Sequence, residues 1–471
     1  MADSSLLAKS LSEVAGMIER REVSSADLTR LSLEAIERAN PDLNAFITVL
    51  ADEAMQAAGT ADAAIAAGDY RGPLHGVPVA VKDLMQMTGT HTRAGSKVLG
   101  DEPDTEDSEA VARLRQSGAV ITGKTHMPEF AYWPASANEH YGPVHNPWNR
   151  DHDTGGSSSG SGSAVAAGLV FGATGSDTGG SIRMPAALCG IVGLKPTFGL
   201  VSGRGAVTLA WSLDHIGPMT RTVRDAALML NVLAGYDPGD SRTVQRPMPD
   251  YAASLDAGVS GLRVAVVSDD GAGTLGTEAV LAGIAGGVAA LERAGAAVSE
   301  IALPELSDLT ALNSAILSVE ACAYHEHLLR DRLDELGSIA RDRMLGAYSF
   351  SPTAFVQFQQ TRAVLRQRLQ EKLADFDLLV LPGMANEAPP LGENRANTRF
   401  TGPFNAMGWP AMVVPTGLGE GNLPVSMQIV AGPWQEERIF RAATVVERDG
   451  PWAAGSVAPG YLQENGNGLV S

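Results

Sequence analysis

Six short apolar runs set the limits on what this chain can fold into: "GVPVAVK" (76–82), "AVITG" (119–123), "LRVAVVS" (262–268), "AAVSEIAL" (296–303), "FDLLVLPG" (376–383) and "PAMVVPTGL" (410–418). Each is too short for a helix and rich in β-branched residues, and most are bounded by Gly, Pro or charge, so each reads as a strand, mostly buried. Stretches of helical apolar spacing lie among them, including "DSEAVARLRQSG" (107–118), residues 277–293 and most of 305–375. Strands alternating with helices predict an α/β chain. Residues 5–65 also carry helical spacing, with Ser24 or Ser25 placed to cap a second helix. The length of 471 residues by itself leaves the number of domains open.

The formal net charge of −19 opposes binding to a phosphate backbone, so no nucleic-acid partner is expected. Two cysteines, Cys189 and Cys322, are too few for a disulfide framework and lack metal-ligand spacing. The N-terminal segment interrupts its apolar residues with charges, unlike a signal peptide. The longest apolar and glycine run, Ala279 to Leu291, is 13 residues, short of a membrane span. A cytoplasmic protein without membrane association is the expectation.

Several motifs invite a chemical reading. "GAVITGKT" (118–125) matches the phosphate-loop pattern, but a helix precedes it, and Ala119 to Thr122 are strand residues whose amides a sheet would occupy. "GSSSG" (156–160) matches a nucleophile elbow centred on Ser158, yet no buried strand leads into it, and His215, His325 and His327 downstream lack a suggestive setting. "HEH" at 325–327 has the wrong spacing for two ligands on one helical face, and no metal is expected. With histidine poorly placed, lysine is the remaining candidate base, and six lysines occur against 29 arginines. Lys82 terminates an apolar run where an ammonium would be poorly hydrated; a lysine snorkelling to solvent, or paired with Asp83, fits the same residues. "GSDTGGSIRMPAALCG" (175–190) reads as strand, tight turn and helix, placing Ser181 at a helix N-terminus. The amides of Thr178, Gly179, Gly180 and Ser181 could there converge on an oxyanion, or the segment could be a structural turn with a serine N-cap. "GGSSSGSGS" (155–163) has the composition of a flexible linker.

Taken together these segments resemble the amidase signature family. The resemblance is carried by "LHGVPVAVKDLMQMTGTHTRAGS", "GKTHMPEFAY", "NPWN", "TGGSSSGSGSAVAAG", "GSDTGGSIRMPAALCGIVGLKPTFG" and "FTGPFNAMGWPAMVVPTG", with "LPVSMQIVAG" after them, in family order from about Leu74 to Glu447. It implies a single domain over 1–471, with a helical layer over 1–68, a catalytic core over 69–230, a variable α/β and helical region over 231–375, and completing strands and helix over 376–450. It also implies a central mixed twisted β-sheet covered by helices on both faces, and a Ser, cis-Ser, Lys triad. Ser181 would be the nucleophile and Ser157, after a cis peptide from Gly156, the bridging serine. Lys82 would be the base. Ser158 would support the loop, and Asp177 and Arg183 would brace it. Ser426 stands where the family usually has glycine.

The implied reaction is cofactor-free hydrolysis of a carboxamide C–N bond other than a peptide bond, through an acyl-enzyme with an oxyanion hole. Met127, Tyr132, Trp133 and Trp409, with Phe350 and Phe355 as weaker candidates, suggest an apolar pocket. Residues 127–133 and 311–360 are expected to set substrate choice, with Trp409 and the 384–400 loop as further candidates. The expected substrate is a small molecule, a bulky neutral or aryl amide or a carbamate, with a homodimer as the candidate assembly. The alternatives are the glutaminase (A) subunit of a tRNA amidotransferase and a P-loop nucleotide-binding protein.

Overall fold

All six apolar runs become strands in the computed structural model, which describes residues 4–393 and 397–461. In chain order the strands are β1 (Phe46–Val49), β2 (Pro78–Lys82), β3 (Val120–Thr125), β4 (His145–Asn146), β5 (Asn149–Asp153), β6 (Gly172–Asp177), β7 (Val192–Lys195), β8 (His215–Thr220), β9 (Arg263–Asp269), β10 (Ala297–Ala302), β11 (Leu378–Pro382), β12 (Ala411–Leu418) and β13 (Pro424–Val430). Eleven of them form one sheet in the order β1-β3-β2-β6-β8-β7-β12-β13-β11-β9-β10, while β4 and β5 pair separately. The sheet is mixed. β3, β2 and β6 run parallel, as do β11, β9 and β10, and the strands between these groups are antiparallel.

Helices flank this sheet. Helix Glu278–Arg293 packs on β12 and β13, helix Glu436–Asp449 on β12, and helix Val223–Leu233 on β8. The predicted helical stretch 305–375 forms Glu305–Asp331, Ser338–Leu345 and Pro352–Lys372, and the first of these packs on the short helix Gly402–Met407. One continuous apolar core extends from Leu6 to Val446. Close packing of this kind makes large-to-small changes at fully buried positions such as Leu28, Phe171 or Phe440 cost about 2–5 kcal/mol each.

Four strands of the sheet escape the pattern of the sequence. β1 interrupts the N-terminal helical layer and pairs antiparallel with β3. β7 is only four residues long, β8 carries Pro218 at its centre, and β13 places Ser426 and Gln428 among buried positions. Each breaks the apolar signature for a local reason that only its neighbours repair. The second helix begins at Ser25, with Ser24 rather than Ser25 as its N-cap: the Ser24 side chain accepts the Asp27 N–H.

"GGSSSGSGS" is no tether. From Ser159 it enters the helix Ser159–Ala166, every residue of which is buried. The small residues let other backbone come close: a Cβ on Gly160 would lie 2.2 Å from the Ala45 carbonyl oxygen and 2.5 Å from the His126 nitrogen. The hydroxyls satisfy polar groups that this burial would otherwise strand. Ser159 donates to the Gly155 carbonyl at 2.7 Å, and Ser161 to the Thr174 carbonyl at 2.9 Å.

Candidate active site

The neighbouring parallel strands β2 and β6 end side by side, the first in Lys82 and the second in Ser176 and Asp177. Carboxyl ends of parallel strands are where open α/β sheets expose chemistry, because the chain leaves them in loops free to vary. Here the serine-rich turn closes over them. Lys82 Nζ lies 2.8 Å from Ser157 Oγ, 3.0 Å from Ser158 Oγ and 2.9 Å from Ser176 Oγ, and all of Lys82 is buried. The Gly156–Ser157 peptide is cis.

Loss of hydration holds the Lys82 ammonium well below its ordinary pKa, and the carboxylates of Asp177 and Asp214 pull it only part of the way back. The hydrogen bonds agree with a neutral amine. An uncharged amine has two N–H donors and one lone pair, which three hydroxyls can satisfy. Ser158 spends its own proton on the Ser176 carbonyl at 3.2 Å, and its oxygen also accepts the Ser176 N–H at 3.2 Å. It must therefore accept from Lys82. The lone pair is then left for the proton of Ser157 or of Ser176.

Ser181 follows β6 by four residues. The helix after it runs Arg183–Cys189 with Ile182 as N-cap, so Ser181 is not the cap that a serine-capped turn would have used. Its side chain is left facing a cavity. The main chain ties it to the serine turn, because the Ser158 N–H donates to the Ser181 carbonyl at 3.1 Å. Among the described residues the amides of Thr178, Gly179, Gly180 and Ser181 find no protein acceptor, so they are free to bind an anion. Gly180 has φ +138°, and a Cβ there would lie 2.2 Å from Thr401 Oγ1, so both conformation and space demand glycine.

Behind the turn, Asp177 and Arg183 form a fully buried pair, with Arg183 Nε 3.0 Å from Oδ2 and Nη2 2.9 Å from Oδ1. Burial alone would raise the Asp177 pKa, but the Arg183 guanidinium outweighs it and holds the carboxyl well below the usual range. Arg183 also donates to Thr401 O, Gln428 Oε1 and Asn405 Oδ1, tying the turn to β13 and helix Gly402–Met407. Ser426, two residues before Gln428, leaves its Oγ without a partner against Gly383. Burial raises the Asp214 carboxyl to about 6, and its oxygen accepts the Thr178 hydroxyl at 2.6 Å.

The cavity beyond Ser181 has a volume of about 260 Å³. Tyr132 and Trp133 line it beside Thr178, Gly179 and Ser181. Met127 and Trp409 do not. Met127 is wholly buried in the core, and Trp409 faces a separate depression with Phe376 and Pro433. Apolarity marked these two, but apolarity equally serves packing. Phe350 and Phe355 also lie off the cavity. Of the 384–400 loop, Asn397 and Thr398 reach the lining, and residues 394–396 lie outside the described residues. Ser176, Asp214, Asn313 and Arg343 belong to the site or its surroundings and were not singled out from sequence. Ser176 had a signal, since it sits two positions from Thr174 on the strand beside Lys82. Arg343 had only its place in the 311–360 segment expected to set substrate choice, being one arginine among many there.

The competing motifs do not assemble. Gly118–Thr125 is largely β3, a fully buried strand whose amides belong to the sheet, and Lys124 pairs with Asp83 at 3.4 Å. The strand before "GSSSG" is β5, in which only Asp153 is buried, and Ser158 Oγ is committed to Lys82 and Ser176. His215 bonds the Leu213 carbonyl at 2.6 Å, and His325 the Thr208 carbonyl at 3.1 Å. Among the described residues no cluster of three metal-type ligands occurs, and no helix is long and apolar enough to cross a membrane. Both cysteines are buried and free.

Comparison with known proteins places this geometry. The Amidase family model matches residues 27–440. The glutamyl-tRNA(Gln) amidotransferase of Trichlorobacter lovleyi has an A subunit that is 37% identical over 466 residues, covering 92% of this chain and 96% of that protein. A structure solved in work on a vestigial protein complex and the origins of an s-triazine catabolic enzyme superposes with TM-score 0.89 at 32% identity, over 93% of this chain and 98% of that one. The native peptide amidase of Stenotrophomonas maltophilia superposes with TM-score 0.84 at 30% identity, over 94% of this chain and 97% of that one. A lysine-tipped strand, a serine turn closed over it and a family match across most of the length lead to one conclusion: this chain belongs to the amidase signature family, the serine enzymes that act on amide C–N bonds.

Proposed function

We propose that this protein hydrolyses a carboxamide with Ser181 as nucleophile, Ser157 as proton bridge and Lys82 as base. The observation that carries the reading is the buried Lys82 amine, 2.8 Å from Ser157 Oγ, in a pocket of hydroxyls with no carboxylate in contact. Ser157 passes its proton to the Lys82 lone pair and takes the proton of Ser181, whose oxygen attacks the carbonyl carbon. The carbonyl oxygen becomes an oxyanion facing the free amides of Thr178 to Ser181. Lys82, now an ammonium, returns the proton through Ser157 to the departing nitrogen, and the C–N bond breaks to leave an acyl ester on Ser181. Water, deprotonated by the same relay, attacks the ester and releases the carboxylic acid. Asp177, Arg183, Gly156 and Ser158 hold the turn and do not react.

A fluorophosphonate probe tests this assignment. Covalent labelling is expected at Ser181, absent in Ser181→Ala and strongly slowed in Lys82→Ala; modification at Ser158 would transfer the nucleophile there and overturn it.

The names of the relatives favour a second reading, a glutamine-hydrolysing component of a tRNA amidotransferase. That reading brings partner subunits and a tRNA into the assembly; the chain's negative charge predicted no nucleic-acid partner, so partner subunits would have to supply the basic surface. Glutamine offers the site both a carboxylate and an ammonium, and the described residues lining the cavity include no Asp or Glu to receive the latter. Glutamine hydrolysis coupled to ATP-dependent transamidation of glutamyl-tRNA, in the presence of partner subunits, would establish the second reading over a stand-alone amidase. The relatives give no support to a carbamate substrate, and the cavity is not purely neutral.

A further inference from the structure

Among the described residues the cation lining the cavity is Arg343, on the helix Ser338–Leu345. Its guanidinium carbon stands 4.6 Å from the centre of the Tyr132 ring and 5.4 Å from that of Trp133. Ring contacts of this kind restrict the exposed Arg343 guanidinium, which also shares a side-chain hydrogen bond with Tyr132, and leave further N–H donors for a ligand. Nearby arginines are spent on acids: Arg330 pairs with Asp331 at 2.9 Å, Arg332 with Glu335 at 2.6 Å and Arg341 with Asp342 at 3.0 Å. Among the described residues Arg343 has no carboxylate within ion-pair distance, and the cavity lining holds no Asp or Glu. A positioned planar fork without a counter-ion, in the same cavity as Ser181, matches the geometry of a carboxylate.

We propose that Arg343 binds a carboxylate on the substrate, so that the amides this enzyme takes carry an anionic group away from the scissile bond. The proposal rests on the serine amidase reading and names its substrate class. It replaces the neutral aryl amide expected from sequence, and it separates an amide with one carboxylate from glutamine, whose ammonium finds no partner among the described lining residues.

The test uses two matched pairs of anilides. One pair is the glutaric acid monoanilide and its methyl-ketone isostere, with the charge on the acyl side. The other is acetanilide bearing a meta carboxylate and its meta acetyl isostere, with the charge on the leaving side. In at least one pair the carboxylate member is expected to be favoured about tenfold or more in kcat/KM, mainly through KM, the range of a charge-assisted bidentate contact. Arg343→Gln should bring that ratio to about one, and Arg343→Lys should keep part of it, since the charge survives and the fork does not. Fluorophosphonate labelling of Ser181 in each variant shows that the site is intact. No preference in either pair, or one that survives Arg343→Gln, overturns the carboxylate assignment while labelled Ser181 preserves the amidase reading. Failure of the wild type to label at Ser181 overturns both.

Discussion

Lys82 and Lys124 sit on adjacent parallel strands, β2 and β3, and both are completely buried. Lys124 lies 3.4 Å from Asp83 and 3.8 Å from Asp104, and also donates to Thr92 Oγ1. Among the described residues the Lys82 amine bonds only hydroxyls. Burial pushes both pKa values down; carboxylates in contact oppose it at Lys124, whereas at Lys82 the opposing acids, Asp177 and Asp214, act from a distance. Burial therefore does not make a lysine a base. What decides is whether the residues touching it stabilise the ammonium or the amine. One lysine holds two strands and a loop together; the other is prepared to accept a proton.

The largest expected effect separates the two by activity. Ser181→Ala and Lys82→Ala should each lower kcat/KM by about 10³-fold or more, as loss of a nucleophile or its base does elsewhere, with circular dichroism unchanged. Comparable losses from Lys124→Met in a folded sample would erase the distinction.

Stability should separate them in the opposite sense. Lys124→Met leaves Asp83 buried without its partner and should cost about 3–5 kcal/mol in denaturant unfolding. Lys82→Met instead removes an amine whose folded-state pKa is depressed. Below the pKa of a free lysine the unfolded chain binds the extra proton, so wild-type stability is reduced there and recovers as pH rises towards that value. The Lys82→Met variant should thus melt above the wild type near neutral pH, with the gap closing as pH approaches about 10.

The same sign governs the rate. Because the base must be uncharged, kcat/KM should rise with pH to a plateau, through an apparent pKa below about 10.4. A midpoint at the free-lysine value would mean that Lys82 is charged in the resting enzyme.

The smallest effect compares two neighbours of Lys82. Ser157→Ala removes the bridge and should cost about a hundredfold or more in kcat/KM, whereas Ser158→Ala, which removes a fixed acceptor and a loop contact, should cost about tenfold. Equal losses would show that the relay is shared.

Much of this contrast was legible in the residues and some was not. The strand ending in Lys82 could be read from "GVPVAVK", and the false phosphate loop could be set aside because its middle reads as strand. Local residues left Lys82 open between base and ion pair, and Ser181 between nucleophile and cap. β8 and β13 were hidden by Pro218 and by Gln428, residues that a strand tolerates here because Gln428 accepts from Arg183 and donates to the Phe400 carbonyl. Met127, Trp409 and Arg343 show the same limit from the other side: side-chain character named two residues that pack and passed over one that faces the cavity.

The sequence by itself determined the alternation of strand and helix, because apolar period is local, and its short motifs carried the resemblance that implies the family and the candidate triad. Only the tertiary structure decided which buried lysine is surrounded by hydroxyls rather than by carboxylates or carbonyls, which of its three neighbouring hydroxyls is not free to give it a proton, and which charge lines the cavity. Those outcomes depend on groups that meet across strands and helices far apart in the chain, such as Lys82 with Ser157 and Ser176, or Arg343 with Tyr132 and Trp133. Electrostatic character is set by such neighbours at a few ångströms, and no periodicity along the chain encodes them.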